Sequence, residues 1–330
     1  MAELACHSEM RLFALNATAD LGKATAQALG WSLAAHEERE FEDGEHKARP
    51  LDSVRGTDAY VIQTLHNGPN QSVNDKLCRL LFFIGALKDC GAARVTAVVP
   101  YLCYARKDRR TKLNDPVTTR YIGSLFEAVG TDAVVALEVH NPVAFENAFR
   151  CRTVALTSTT LFVKFAAQLM DESFSVVSPD PGGVKRAQLL REALEATLHR
   201  PIGKGYVDKH RSAGVVSGDL FVGDAADATV LIIDDLISTG TTLLRAAQAA
   251  RRAGARRVLA FVTHGLFMPG SAEVVANPDI EQFVVTDAVP VRIDDAAARA
   301  KVKVLPVAPL LAETIRRLHE NRDLADLLVF

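Results

Sequence analysis

Uncharged runs rich in β-branched residues recur along the chain, separated by stretches of helical periodicity. The runs at 59–62, 95–99, 134–137, 175–177, 229–233 and 258–262 contain no Asp, Glu, Lys or Arg. A strand that is polar on neither face is buried on both, which is the condition of strands in parallel sheets covered by helices. Residues 74–88 and 242–252 predict amphipathic helices that stop near Gly91 and Gly254, each with cations toward its C-terminal end. The alternation predicts an α/β fold built on doubly wound, mainly parallel sheets. At 330 residues the chain exceeds one ordinary core and suits two domains of roughly 150 residues each. The halves share a theme: residues 94–99 run into Pro100-Tyr101, and residues 229–233 run into Asp234-Asp235. Two domains are therefore expected, at 1–152 and 153–306, with a helix near 307–320 packing back on the first.

Composition narrows the partners. A formal net charge of -2, from 38 Lys+Arg against 40 Asp+Glu, leaves no electrostatic footprint for a nucleic-acid backbone and points to small molecules. The five cysteines are scattered without a Cys-x-x-Cys pair, so neither a disulfide framework nor a zinc site is expected, and a reducing cytoplasm fits. The N-terminal residues lack a signal-peptide profile, and no run approaches about 18 consecutive apolar residues, so neither export nor membrane partners are expected.

The chemistry concentrates behind the run at 229–233, where Asp234-Asp235-Leu236-Ile237-Ser238-Thr239-Gly240-Thr241-Thr242 leads into the second helix. Open parallel sheets bind ligands at the carboxyl ends of their strands. Small residues at a helix N-terminus let backbone N–H groups approach a phosphate, and Ser and Thr hydroxyls add donors. Two adjacent acids would repel that anion, so their task is to hold vicinal hydroxyls, directly or through a divalent cation. A phosphate at one end and a diol at the other describe ribose 5-phosphate. The competing reading, an acidic turn ahead of a Ser/Thr helix cap, leaves paired acids behind a buried strand unexplained. No Gly-x-x-x-x-Gly-Lys-Ser/Thr sequence occurs, so a nucleoside triphosphate would not be held by a Walker loop.

The segment from Asp234 to Thr242 resembles the phosphoribosyl pyrophosphate loop of phosphoribosyltransferases and of ribose-phosphate pyrophosphokinase. The remaining motifs are similar to the pyrophosphokinase family throughout: Asn16-Ala17-Thr18, Phe41-Glu42-Asp43-Gly44-Glu45, Val54-Arg55-Gly56, the segment from Tyr101 to Arg110, Ser178-Pro179-Asp180-Pro181-Gly182-Gly183, Asp208-Lys209-His210-Arg211 and Thr263-His264. The resemblance implies two domains of phosphoribosyltransferase type. It also implies transfer of the diphosphoryl group of ATP, with Mg²⁺, to the C1 hydroxyl of ribose 5-phosphate, giving phosphoribosyl pyrophosphate and AMP. A homo-oligomer, such as a hexamer built from dimers, is implied too, because the family's ATP site borrows residues from a neighbouring subunit.

Residue by residue, the resemblance assigns Phe41, Asp43 and Glu45 to the adenine pocket, Arg106 and Lys107 to ATP, and His140 to ATP and magnesium. Asp180 is assigned to magnesium and the ribose end, and Lys209 and Arg211 to a catalytic flap that reaches the transferring phosphoryl group. Ser238, Thr239, Gly240, Thr241 and Thr242 would hold the 5-phosphate, and Asp234 and Asp235 the diol. Without the family, Phe41 to Glu45 is an acidic turn bearing an aromatic, 104–110 a basic loop, and Asp180 a helix cap. The chain departs from the commonest family pattern at Leu236, Ser238 and Thr241, at Glu138-Val139-His140, and at Asn141-Pro142, where Ala-Glu is common. Residues 65–73 are longer than the family norm. A phosphoribosyltransferase and a catalytically silent regulatory relative stay open as alternatives.

Overall fold

The computed structural model describes residues 9–169, 173–212 and 215–328, with the side chains of 209–212 and 215–219 left out of the description. The chain divides into two compact units, the first running to Thr157 and resuming at Val307, the second spanning Ser158–Pro306. In the first unit the strands are β1 (Met10–Ala14), β2 (His36–Glu40), β3 (His46–Pro50), β4 (Asp58–Ile62), β5 (Arg94–Val99), β6 (Ala133–Leu137) and β7 (Arg152–Leu156). The order β1-β4-β5-β6-β7 makes a parallel sheet, and β2 and β3 pair antiparallel as a separate hairpin. Because β7 pairs with β6, the first unit continues to Thr157, past the 152 expected from sequence.

The connecting helices are α1 (Ala19–Leu29), α2 (Val73–Asp89), α3 (Thr118–Ala128) and α4 (Pro142–Ala148). α2 starts one residue before the span predicted for it because Ser72 caps it. The Ser72 hydroxyl accepts from Asp75 N at 3.2 Å, and Asp75 Oδ2 accepts from Ser72 N at 2.7 Å. Its inward residues Leu80, Phe83, Ile84 and Leu87 are fully buried against alternate residues of the sheet, among them Ala59, Val61, Val95 and Ala97.

The second unit contains α5 (Thr159–Ala166), β8 (Phe174–Ser178), α6 (Val184–Leu198), β9 (Gly203–Ser212), β10 (Val215–Gly223), β11 (Thr229–Ile237), α7 (Thr241–Arg252), β12 (Arg257–Gly265), α8 (Ser271–Ala276), β13 (Gln282–Thr286), α9 (Ala296–Ala300) and β14 (Val302–Leu305). Its sheet has the order β10-β9-β8-β11-β12-β13-β14 and is parallel except for the edge strand β10. Alternation along β11 fills two cores. Val230 and Ile232 pack on the side of Leu243, Ala246 and Ala250 of α7, whereas Leu231 and Ile233 pack on the side of Leu190 and Leu194 of α6. β11 does not stop at Ile233 as the uncharged run predicts. It continues through both acids to Ile237, because β12 pairs with it that far, Leu236 opposite His264 and Ile237 opposite Gly265.

After Pro306 the chain returns to the first unit as α10 (Ala308–His319), packed on α1. A buried ionic clasp holds its last turn. Asp58, 1% exposed at the start of β4, accepts from Arg94 Nε at 2.7 Å and from the Tyr60 hydroxyl at 3.0 Å. His319 Nδ1 lies 2.9 Å from the same carboxylate, and Arg94 also reaches Leu318 O at 3.3 Å. Burial pushes the Asp58 carboxyl up, but hydrogen bonds from Arg94, His319 and Tyr60 outweigh it and hold Asp58 below the usual aspartate range. Among the described residues no helix is long and apolar enough to cross a membrane.

Removing one partner of a buried ion pair strands the other charge, so Asp58→Ala destabilises the first unit by about 3–5 kcal/mol in urea titrations. The wild-type contribution is complete above the ordinary aspartate range and disappears as pH falls through the lowered folded value. The stability gap between wild type and Asp58→Asn therefore closes in acid.

Candidate functional site

In the second unit, β11 carries Asp234 and Asp235 to the carboxyl end of the sheet, and Ser238-Thr239-Gly240 turn the chain into α7. Gly240 caps α7 at φ 85°, in the left-handed region. A Cβ there would stand 2.8 Å from Val274 Cγ1 and 3.0 Å from Ile237 Cδ1, so the turn admits no side chain without displacing both. No side chain caps α7, which leaves the N–H groups of its first turn pointing out of the helix. Beside them the Thr239 and Thr241 hydroxyls lie 3.2 Å apart. Backbone donors, two hydroxyls and the positive end of the helix dipole together form an arrangement that can receive an anion.

The two acids lie close together. Asp234 Oδ1 accepts from Asp235 N at 2.9 Å, and Asp235 is 4% exposed. Burial first, and then the neighbouring Asp235 charge, push the Asp234 carboxyl up to about 8. Arg186, in the first turn of α6, opposes that shift. Its Nη1 stands 3.6 Å from Asp234 Oδ1 and 3.9 Å from Asp235 Oδ1. Sequence reasoning missed Arg186, whose signal is an Arg one turn after the Asp-Pro-Gly-Gly segment at a strand end.

Asp180 lies just beyond β8, which pairs with β11 through Val177 opposite Ile232, so Asp180 and Asp234 both stand at carboxyl ends of adjacent strands. Asp180 Oδ1 accepts from Gly182 N at 2.8 Å and Gly183 N at 3.2 Å, capping the turn into α6. Lys209 and Arg211 fall in β9, with Asp219 and Val216 of β10 opposite them; their side chains lie outside the described residues. Among the described residues no three His, Cys, Asp or Glu side chains form a metal-holding group.

The residues assigned to ATP are in the first unit. Phe41, Asp43 and Glu45 form the tip of the β2–β3 hairpin, closed by Phe41 N to Glu45 O at 2.8 Å and Glu45 N to Asp43 Oδ1 at 3.0 Å. Phe41 is 39% exposed, with the Arg39 guanidinium 5.1 Å from its ring centre. Arg106 is exposed in the loop after β5. Lys107 instead donates to Asp115 Oδ2 at 2.5 Å and Thr111 Oγ1 at 3.2 Å, closing the loop on itself. The ammonium of Lys107, with hydrogen bonds from Thr111 and Lys112, holds the Asp115 carboxyl well below the usual range. His140, exposed, follows β6 by three residues, and Glu138 between them turns the backbone at φ 44°.

Comparison with known proteins finds matches over both units. The N-terminal domain of ribose phosphate pyrophosphokinase matches residues 10–130, and the phosphoribosyl synthetase-associated domain matches 218–329. The ribose-phosphate pyrophosphokinase of Haemophilus ducreyi is 34% identical over 326 residues, covering 96% of this chain and 98% of that protein. The corresponding protein of Caldanaerobacter subterraneus is 34% identical over 322 residues, 97% of this chain and 98% of its own. The crystal structure of phosphoribosylpyrophosphate synthetase from Mycobacterium smegmatis superposes with a TM-score of 0.85 at 31% identity, covering 95% of this chain and 99% of that one.

The strained acid pair has a measurable signature. Asp234 binds its proton in the folded state up to about 8, far above the ordinary aspartate value of 3.8, so its contribution to stability is complete below that lower value and is lost as pH rises. Asp234→Asn therefore raises the Tm of the unliganded protein increasingly between these two pH values, and the gain levels off above the higher one. Gly240→Ala lowers stability by about 1–3 kcal/mol at every pH, measured by thermal denaturation.

Proposed function

The chain belongs to the ribose-phosphate pyrophosphokinase family, and from that premise we propose that it transfers the diphosphoryl group of ATP to ribose 5-phosphate. The single observation that carries the acceptor half is the buried strand β11, which delivers two carboxylates and an uncapped helix N-terminus at one turn. The 5-phosphate rests on the first turn of α7 with the hydroxyls of Ser238, Thr239, Thr241 and Thr242. The ribose diol is held by Asp234 and Asp235, with Arg186 as their fixed counter-charge.

The C1 hydroxyl then attacks the β-phosphorus of ATP. One O–P bond forms, the bond between the β-phosphorus and the oxygen of AMP breaks, and the hydroxyl proton passes to solvent. No covalent enzyme intermediate is needed, so catalysis is positioning plus charge stabilisation. Phe41, Asp43 and Glu45 take the adenine, and the exposed ring at the hairpin tip suits a pocket completed by a neighbouring subunit in a homo-oligomer, a hexamer built from dimers. Arg106, Lys107 and His140 face the polyphosphate, while Lys209 and Arg211 stabilise the transferring group.

The residues fit Mg²⁺. That ion is usually held by one or two carboxylates together with substrate phosphates, and the close Asp234–Asp235 pair or Asp180 would supply such carboxylates, with His140 assigned to the ion by the family resemblance alone. When bound it neutralises phosphate charge during transfer. A cytoplasmic setting belongs to the same proposal and is supported by the scattered free cysteines Cys78, Cys90, Cys103 and Cys151.

Incubation with ATP, Mg²⁺ and ribose 5-phosphate yields AMP and phosphoribosyl pyrophosphate in equal amounts. Absence of AMP would remove the kinase activity and favour a silent relative, and pyrophosphate released only from supplied phosphoribosyl pyrophosphate and a base would indicate a phosphoribosyltransferase. Lys209→Ala lowers kcat by roughly 100-fold or more with little change in either KM, because the lost charge acts in the transition state.

A further inference from the structure

Asn141 lies between β6 and α4 and uses both ends of its amide. Oδ1 accepts from Ala144 N at 3.2 Å, capping α4 with Pro142 in the first turn. Nδ2 donates to Asp108 Oδ2 at 2.7 Å. The orientation of the amide follows from its partners, since a backbone N–H can only donate and a carboxylate accepts.

The bond to Asp108 crosses between two loops. Asp108 directly follows Lys107 and is two residues from Arg106, whereas Asn141 directly follows His140. The basic loop is also tied to its own surroundings: Lys107 to Asp115 at 2.5 Å, and the Thr119 hydroxyl to Tyr104 O at 3.1 Å and Lys107 O at 3.2 Å. Those anchors fix the shape of the loop. The bond from Asn141 fixes its placement against the turn that carries His140.

We propose that Asn141 is a positioning residue, whose hydrogen bond to Asp108 sets the relative placement of Arg106, Lys107 and His140 and thereby the affinity for the polyphosphate of ATP. The inference rests on the assignment of those three residues to ATP. Cations act on a polyphosphate only when held within hydrogen-bond reach of its oxygens, and a charge-assisted strut of this length restricts both loops together.

The test uses the full chain with ATP varied at saturating Mg²⁺ and ribose 5-phosphate. N141S keeps an oxygen to cap α4 but is too short to reach Asp108, and D108A removes the acceptor. Each raises the KM for ATP roughly tenfold, the worth of one hydrogen bond to a charged group, and leaves the KM for ribose 5-phosphate unchanged. The double variant is no worse than either single variant. The exchange D108N/N141D restores the bond with donor and acceptor reversed, keeps a carboxylate to cap α4, and returns the KM for ATP toward wild type. A general weakening of the fold would lower Tm and would not be reversed by the exchange. Calorimetric binding of ATP with Mg²⁺, without ribose 5-phosphate, reads the same comparison independently of turnover. A wild-type chain that releases no AMP defeats the proposed reaction, whereas equal ATP affinity in wild type and N141S, or a loss that the exchange leaves in place, overturns the role of Asn141.

Discussion

Two carboxylates on consecutive residues of a buried strand repel each other, and the second unit is organised around that cost. Burial and the neighbouring Asp235 charge push the Asp234 carboxyl up to about 8 even with Arg186 at 3.6 Å. A protein selected for stability alone would replace one acid. Keeping both stores an unfavourable interaction that a ligand can relieve, either hydroxyl donors or a cation accompanying a phosphate. Every adjoining feature bears on the same few atoms: Gly240 admits no Cβ, α7 carries no side-chain cap, and α6 begins by presenting Arg186.

Burial on both faces explains why such chemistry collects at strand ends. β4, β6 and β8 are buried from end to end, and they carry no charged side chain except at a strand end. The first unit follows the same rule. The loop of Arg106 and Lys107 leaves β5, and the turn of His140 leaves β6, each at the carboxyl end. Asp58 sits at the opposite end of β4, where its clasp with Arg94 and His319 anchors the returning helix α10.

Much of this architecture was legible in the sequence because its signals are local. Uncharged runs mark the central strands, and helical periodicity places the start of α2 to within a residue. What escaped depends on partners distant in the chain. β11 runs to Ile237 only because β12 pairs with it there, and strands β1, β7, β13 and β14 owe their existence to neighbours in the sheet. The chain order of the candidate site could be read directly, from Asp234 to the helix start, but its electrostatics could not. Arg186 enters through the pairing of β8 with β11, and the Asn141–Asp108 bond joins residues 33 positions apart. Asp180 shows the opposite lesson: its local signal is that of a cap, and capping is what its Oδ1 does.

The central claim is that one turn binds a phosphate at the N-terminus of α7 and a diol at Asp234 and Asp235. Calorimetric comparison of ribose 5-phosphate, 2-deoxyribose 5-phosphate and unphosphorylated ribose, each with Mg²⁺, separates the two halves. The account predicts that ribose 5-phosphate binds most tightly, that both analogues lose affinity, and that Asp235→Ala removes the preference for ribose 5-phosphate over its 2-deoxy analogue while the preference for the phosphate survives. Equal binding of ribose 5-phosphate and 2-deoxyribose 5-phosphate by the wild-type chain would contradict it.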